Sequence, residues 1–251
     1  MTDPTHVPSL NRVVRLESRK GEVRAVVEDD FHHFRVHLRH DGKVVTQVTN
    51  DSPRSPYTLC LAAGRRLEEL VGHKLTVHVA SFFETIDQFQ QCTHQFDLAC
   101  LAVAAAARGE GSRTYHLQVR DPGDGDRIAE ASRDGVPLIR WVIHEGGITK
   151  PEPWAGHSLS AGFTAWCDSA LEPDMAEASL ALRRAIFISG GRRVVAQLDA
   201  APHSNDRGGC WVQQPERAKQ ALRNVGSTLD FTGRAHELTS TDEEWLAFAE
   251  D

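Results

Sequence analysis

The order in which strand-type and helix-type segments follow one another constrains the fold more than any other feature of this sequence. Strand patterns come early in each half of the chain, and helix patterns follow them. Repeated strand–helix–strand units would instead alternate along the whole chain and would build a parallel sheet. The sequence therefore predicts an α+β fold, in which antiparallel strands early in each half are followed by helices that pack on them.

The first half combines a predicted hairpin with two predicted helices. Its strand patterns, rich in alternating or β-branched residues, cover residues 13–19, 23–27, 31–38 and 43–48. The last two flank Asp41-Gly42, a favoured two-residue turn. An apolar face predicts one helix over 59–71, and an alanine-rich run predicts another up to Arg108, with Thr93 as its N-cap.

The second half repeats this order of patterns without a recognisable repeat of sequence. Strands are predicted over 115–119, 128–132 and 137–144, and helices after Pro173, after Pro215 and after the capping-box pattern at 240–243. We therefore divide the chain into an N-terminal tail over 1–11, a core over 12–108, and a second α+β half over 113–251 that can pack with the core as one domain.

Charge and composition exclude several classes of protein. The net charge of −7 argues against nucleic acid as a partner, because such proteins need a concentrated basic surface. No apolar run approaches the ~18 residues that span a bilayer, so no membrane partner is expected. The polar first ten residues lack the apolar core of a signal peptide, which predicts a cytoplasmic protein. Five cysteines without a C-x-x-C pair argue against structural disulfides and zinc ribbons.

Dinucleotide, phosphate-loop, nucleophile-elbow and H-E-x-x-H motifs are also missing, so chemistry has to be sought in local clusters. Cys92-Thr93-His94 lies at a predicted helix start, where the helix dipole favours a thiolate and a neutral imidazole. Tyr57 and Cys60 lie near the start of the other helix, where Tyr57 could donate a proton to an oxyanion. Both clusters are equally compatible with a purely packing role.

A third cluster consists of aromatic and charged side chains in the second half. Aromatic walls with one or two charged groups suit a flat, anionic ligand, although aromatic side chains more often belong to a core. The candidate substrate-binding residues are Trp154, His157, Trp166, Asp168, Arg183 and Arg184.

Four segments occur in an order that resembles an uncharacterised bacterial family known only as a domain of unknown function. The segments are His32, Ser55-Pro56-Tyr57-Thr58-Leu59-Cys60, Leu70-Val71-Gly72 and Cys92-Thr93-His94, within about residues 20–108. The chain departs from the family pattern at Gln95, where leucine is usual, and at Leu61, where proline is common. The resemblance implies that His32, Tyr57, Cys60 and the Cys92–His94 segment form one site.

The resemblance also implies a role in the bacterial catabolism of aromatic and lignin-derived compounds, including release of formaldehyde from a phenolic side chain. We therefore expect a cofactor-independent carbon–carbon lyase of the retro-aldol type, or an isomerase, that acts on a phenolic aromatic acid. His94 would be the base and Tyr57 the proton donor, with Cys92, Cys60 and His32 in support. The expected partners are a small aromatic substrate and a second copy of the chain, as a homodimer.

Two other functions stay open on the sequence. Cys60, Cys92, His94 and His32 could ligate zinc or iron, since thiolate and imidazole ligands suit both metals. The aromatic second half, with Arg183 and Arg184, could instead form a ligand-binding module without catalytic activity.

Overall fold

The computed structural model describes residues 7–121, 125–160 and 162–248, and one eight-stranded sheet runs through them. Every neighbouring pair of strands is antiparallel, and the strand order is β4-β3-β2-β1-β5-β6-β7-β8. The strands are β1 (Ser9–Arg19), β2 (Glu22–Asp29), β3 (His33–His40), β4 (Val45–Arg54), β5 (Gly111–Arg120), β6 (Arg127–Arg133), β7 (Val136–His144) and β8 (Gly147–Lys150). The predicted α+β class with antiparallel strands is confirmed at this level.

Two long helices and several short ones accompany the sheet. The helices are α1 (Cys60–Ala63), α2 (Phe82–Thr85), α3 (Thr93–Arg108), α4 (Phe163–Ala170), α5 (Pro173–Ser189), α6 (Val195–Ala200), α7 (Pro215–Ala218) and α8 (Glu243–Leu246). None of the helices in the described ranges has the length and apolar character that a bilayer crossing requires.

The sheet has one face under the long helices and another under the C-terminal segment. Leu10, Val14 and Leu16 of β1 belong to the core cluster that also contains α3 and α5. Val13 points to the other side, as the alternation of a strand requires, and packs with Phe231 and Leu238. Residues 227–248 therefore cover the outer face of the first half of the sheet.

A repeat that the sequence does not reveal organises the two halves. Four antiparallel strands followed by a long helix occur as β1–β4 with α3 and again as β5–β8 with α5. The first strands of the two units pair at the centre of the sheet, with Val14 opposite Tyr115. Because the sheet and the main core cluster are continuous across this pair, the two halves share one hydrophobic core.

Several predicted boundaries differ from the structure. β1 begins at Ser9, inside the predicted tail, because its first residues pair with the end of β5. The helix predicted over 59–71 is a single α-turn, α1, followed by the 3₁₀ segment Gly64–Leu70. Cys92, and not Thr93, occupies the N-cap of α3 and makes no capping side-chain hydrogen bond. β8 lies between the last predicted strand, over 137–144, and the helix predicted after Pro173, where we predicted no strand.

Candidate functional site

A cavity of about 270 Å³ opens where the β2–β3 turn meets the start of α3. Its polar lining includes His32, Tyr57, His94, Arg184 and Arg223, and its apolar lining includes Phe31 and Ile188. Among the described residues that line it, none is acidic. We call this space the histidine cavity, and it brings together three of the five side chains that the sequence places in one site.

His32 is held by a buried carboxylate. Its Nδ1 lies 3.0 Å from Oδ1 of Asp29, which also accepts hydrogen bonds from the backbone N–H groups of Phe31 and His32. The other carboxylate oxygen pairs with Arg12, the residue opposite Asp29 in the β1–β2 register. Burial alone would raise the pKa of Asp29, but the cationic groups around it lower this pKa well below its ordinary value. Asp29 is therefore a fixed negative charge behind the imidazole.

His94 lies against His32, with ring centroids 3.8 Å apart and ring planes inclined by 47°. α3 delivers it from its first turn, and Nδ1 of His94 is 3.4 Å from Oγ1 of Thr93. Its Nε2 is shut off from solvent and has no hydrogen-bond partner in the described part of the chain. Burial lowers the pKa of His94 well below its ordinary value, and the neighbouring His32, Arg12 and Arg184 act in the same direction. Burial also lowers the pKa of His32, although Asp29 opposes this.

Tyr57 closes another side of the cavity, just before α1. Burial raises the pKa of its phenol, so the hydroxyl stays protonated at neutral pH and can donate a proton. The guanidinium of Arg223 lies 5.7 Å from the ring centroid, and its Nη1 is 3.4 Å from the carbonyl of Pro56. Asp199 accepts a hydrogen bond of 2.9 Å from Nε of Arg223 and holds that side chain in place.

Arg184 adds a second guanidinium to the wall. It comes from α5 and forms a two-point ion pair with Asp97 of α3. This ion pair links α3 of the first unit to α5 of the second unit beside the cavity. A lining with two arginines, two histidines and no acid favours an anionic or phenolic ligand.

Cys60 and Cys92, which we predicted to belong to the site, lie outside the lining of the histidine cavity. Both residues are buried. Burial raises the pKa of the Cys92 thiol, which opposes the stabilisation of a thiolate that we expected from the helix terminus. Cys60 lies beneath the site, and its backbone carbonyl accepts a hydrogen bond of 2.8 Å from Nε2 of Gln95.

Of the six candidate substrate-binding residues, the structure brings only Arg184 to this cavity. Trp154 is buried against Trp141 and donates to Oγ of Ser179 at 3.0 Å. His157 and Trp166 stack on each other at 3.9 Å. The other two make separate polar contacts: Asp168 with His78 (3.2 Å), and Arg183 with the carbonyls of Leu159 and Ser160.

Two residues of the site escaped the sequence analysis. Asp29 precedes His32 by three positions, and an acid at that distance from a histidine across a turn was a usable signal. Arg223 carried no such signal, because only the tertiary fold brings it to Tyr57.

The four candidate metal ligands do not converge on one point. Within the described ranges, one group of three ligand types lies close enough to hold an ion, and it consists of Glu28, His33 and Asp242. Those side chains are already engaged: Asp242 bonds His33 at 2.9 Å and Arg35 at 2.6 Å, and Glu28 bonds Arg54 at 3.1 Å. The group forms an ion-pair network that joins the C-terminal segment to the sheet.

Comparison with known proteins adds no assignment: no protein-family model matches the chain, and no curated protein is significantly similar to it.

Proposed function

We propose that this protein is an acid–base enzyme that works without an organic cofactor, as a carbon–carbon lyase on a small phenolic or aromatic acid. The observation that carries the proposal is the contact between His32 and His94 in a cavity that also holds Tyr57 and Arg184. Two imidazoles, a phenol and a guanidinium supply a base, an acid and an anion anchor. Proton transfer between them needs no nucleotide.

The two histidines act as a pair. Rings this close cannot both be charged, so the pair takes up one proton and titrates as a unit. The charge of Asp29 stabilises that proton on His32, which it contacts directly. His94 stays neutral and presents the imidazole that first accepts the substrate proton.

The chemistry is a retro-aldol release of formaldehyde from a phenolic side chain. The substrate is bound as its para-phenolate. Tyr57 protonates the benzylic hydroxyl, which leaves as water while the phenolate becomes a quinone methide, and the proton that the histidine pair takes in the next step later restores Tyr57. The histidine pair then removes the proton of the terminal hydroxyl, and the carbon–carbon bond breaks to release formaldehyde. The bonding electrons pass into the quinone methide and restore the phenolate, so no oxidant or reductant is consumed.

The arginines fix the orientation of this substrate. Arg184 and Arg223 bind the phenolate or a carboxylate, because both line the cavity while the carboxylates that hold them, Asp97 and Asp199, lie outside its lining. Phe31 provides an apolar wall for the ring. The two guanidinium groups stabilise the phenolate oxygen. They therefore lower the barrier of the carbon–carbon cleavage step, in which negative charge returns to the ring.

A direct assay uses a para-hydroxyphenyl propanediol with hydroxyls on the benzylic and terminal carbons. We expect formaldehyde and para-vinylphenol in equal amounts, detected by a formaldehyde dye and by absorbance. His94→Gln and Tyr57→Phe should each lower turnover by about 10²–10⁴-fold. The matched control is His116→Gln, on the outer face of the sheet.

Three outcomes separate the proposal from its alternatives. Full turnover in folded His94→Gln and Tyr57→Phe proteins would show that the site is wrongly assigned. Saturable binding of the diol without any product would identify a binding module. Zinc or iron in the purified protein, with activity that chelators abolish, would favour the metalloprotein.

A further inference from the structure

A second cavity, of about 730 Å³, lies between the ends of the β6–β8 strands and α5. Phe187 contributes to the walls of both this space and the histidine cavity. We call it the arginine cavity, because Arg127 and Arg193 are both part of its lining.

Within the residues that the structure describes, neither arginine forms an ion pair. Nε and Nη2 of Arg127 are shut off from solvent and lack a hydrogen-bond partner in the parts of the chain that the structure describes. Burial lowers the pKa of Arg127, and the charge of Arg193 adds to this effect. Arg127 is half-buried, and shielding two of its N–H-bearing nitrogens from water without an acceptor is costly, so this wall lacks a hydrogen-bond acceptor.

The acidic side chains around the arginine cavity contact groups other than Arg127 and Arg193. Asp121 contacts Nε of Arg192 at 3.0 and 3.2 Å. Asp126 and the exposed Glu145 lie 3.2 and 4.0 Å from the two ring nitrogens of His144. Asp126 and Glu145 are exposed at the rim, so within the described part of the chain the unpaired guanidinium nitrogens of Arg127 have no carboxylate partner.

The rest of the lining suits a ligand with both polar and apolar parts. Ser158 and Ser160 share a hydrogen bond of 2.7 Å at the cavity wall. Ile143, Leu159 and Ile186 provide buried apolar surface, and Phe187 provides exposed aromatic surface. A bare inorganic ion would leave most of that apolar wall uncovered.

We propose that the arginine cavity is a second binding site, specific for an organic oxyanion with an apolar body. Arg127 and Arg193 bind the oxyanion, whose oxygens accept hydrogen bonds from the unpartnered nitrogens of Arg127. The apolar side chains of the lining cover the apolar body of the ligand. The oxyanion can be a carboxylate or a phosphate monoester, since both offer oxygen acceptors to a guanidinium. This inference does not depend on the catalytic role of the histidine cavity.

Methyl NMR can observe the two cavities separately. In protein labelled at the isoleucine methyl groups, Ile143 and Ile186 report on the arginine cavity, and Ile188 reports on the histidine cavity. Titration with benzoate should shift the Ile143 and Ile186 signals saturably, and inorganic phosphate should compete. Benzyl alcohol, which has the ring without the charge, should shift these signals far less.

Charge removal supplies the decisive comparison. Arg193→Gln and Arg127→Gln should each weaken the benzoate response of Ile143 and Ile186 by about tenfold or more, whereas Arg207→Gln, outside both cavities, should not change it. Arg193 is exposed, so its replacement tests the site even where the Arg127 variant folds poorly. An unchanged response in the Arg193 variant, or an equal response to benzyl alcohol, would overturn the proposal.

Discussion

At the scale of single residues, the centre of the molecule depends on the pair of Arg12 and Asp29. Both side chains are buried, and they pair across adjacent strands. Asp29→Asn leaves Arg12 without its counter-charge, and breaking a buried pair in this way costs about 3–5 kcal/mol. We expect that loss in the free energy of unfolding measured by urea denaturation. The double variant Arg12→Met, Asp29→Asn should recover part of it, and a further loss would mean that the pair is not the cause.

The neighbouring Asp30 should make stability depend on pH in the opposite sense from an ordinary ion pair. Burial raises its pKa to about 6, although Arg192 opposes this. A carboxyl whose folded pKa is raised contributes stability below its unfolded pKa and loses it as pH rises through the folded pKa. Wild type should therefore gain about 1–3 kcal/mol over Asp30→Asn between pH 7 and pH 4. Parallel pH profiles of the two proteins would contradict this.

At the scale of elements, the 3₁₀ segment Gly190–Val194 after α5 limits the histidine cavity. A Cβ at Gly191 would lie 2.9 Å from Cζ of Phe31, so Gly191→Ala should push that ring toward the ligand. We expect Gly191→Ala to weaken binding of the phenolic substrate by about tenfold, which corresponds to a loss of about 1.4 kcal/mol in binding free energy. Titration calorimetry measures this change. Gly190→Ala is the matched control, because nothing lies within 4 Å of its added Cβ. Equal effects of the two variants would rule out the contact with Phe31.

Local patterns predicted most elements, since strand alternation and helix ends depend on neighbouring residues. The end of α3 at Arg108 was predicted to the residue because an alanine-rich run stops at Gly109, whereas its start lies one residue before the predicted one. The continuous helix predicted over 59–71 was wrong: the chain changes to a 3₁₀ segment at Gly64, where Asn50 and Gln95 from distant segments lie against the backbone. The candidate site, likewise, could be predicted only in part. The order of motifs predicted His32, Tyr57 and His94 as site residues, but the roles of Asp29 and Arg223 depend on tertiary contacts that no local pattern reveals.

At the scale of the whole molecule, the C-terminal segment over 227–248 packs on the outer face of the sheet and stabilises it. Asp242 is held by His33 and Arg35, which lower its pKa against the effect of burial, and Phe231 packs on Val13. Ending the chain after Gly226 removes these contacts at a cost of about 3 kcal/mol, or about 6–12 °C in Tm. Calorimetry should show that loss, while Glu244→Gln in the same segment should leave Tm unchanged. A truncated protein with unchanged Tm would contradict this.

The two four-stranded units differ at the junction between their long helix and their sheet. In each unit, the start of the long helix meets the middle hairpin. In the first, that junction holds His94 against His32 beside an open cavity. In the second, it holds Asp174 at the start of α5 against Arg133. The first junction opens on a cavity that a ligand can enter, whereas an ion pair closes its counterpart, so mutations that alter specificity should accumulate around His94 and the α5 residues that face it, such as Arg184, and not around Asp174.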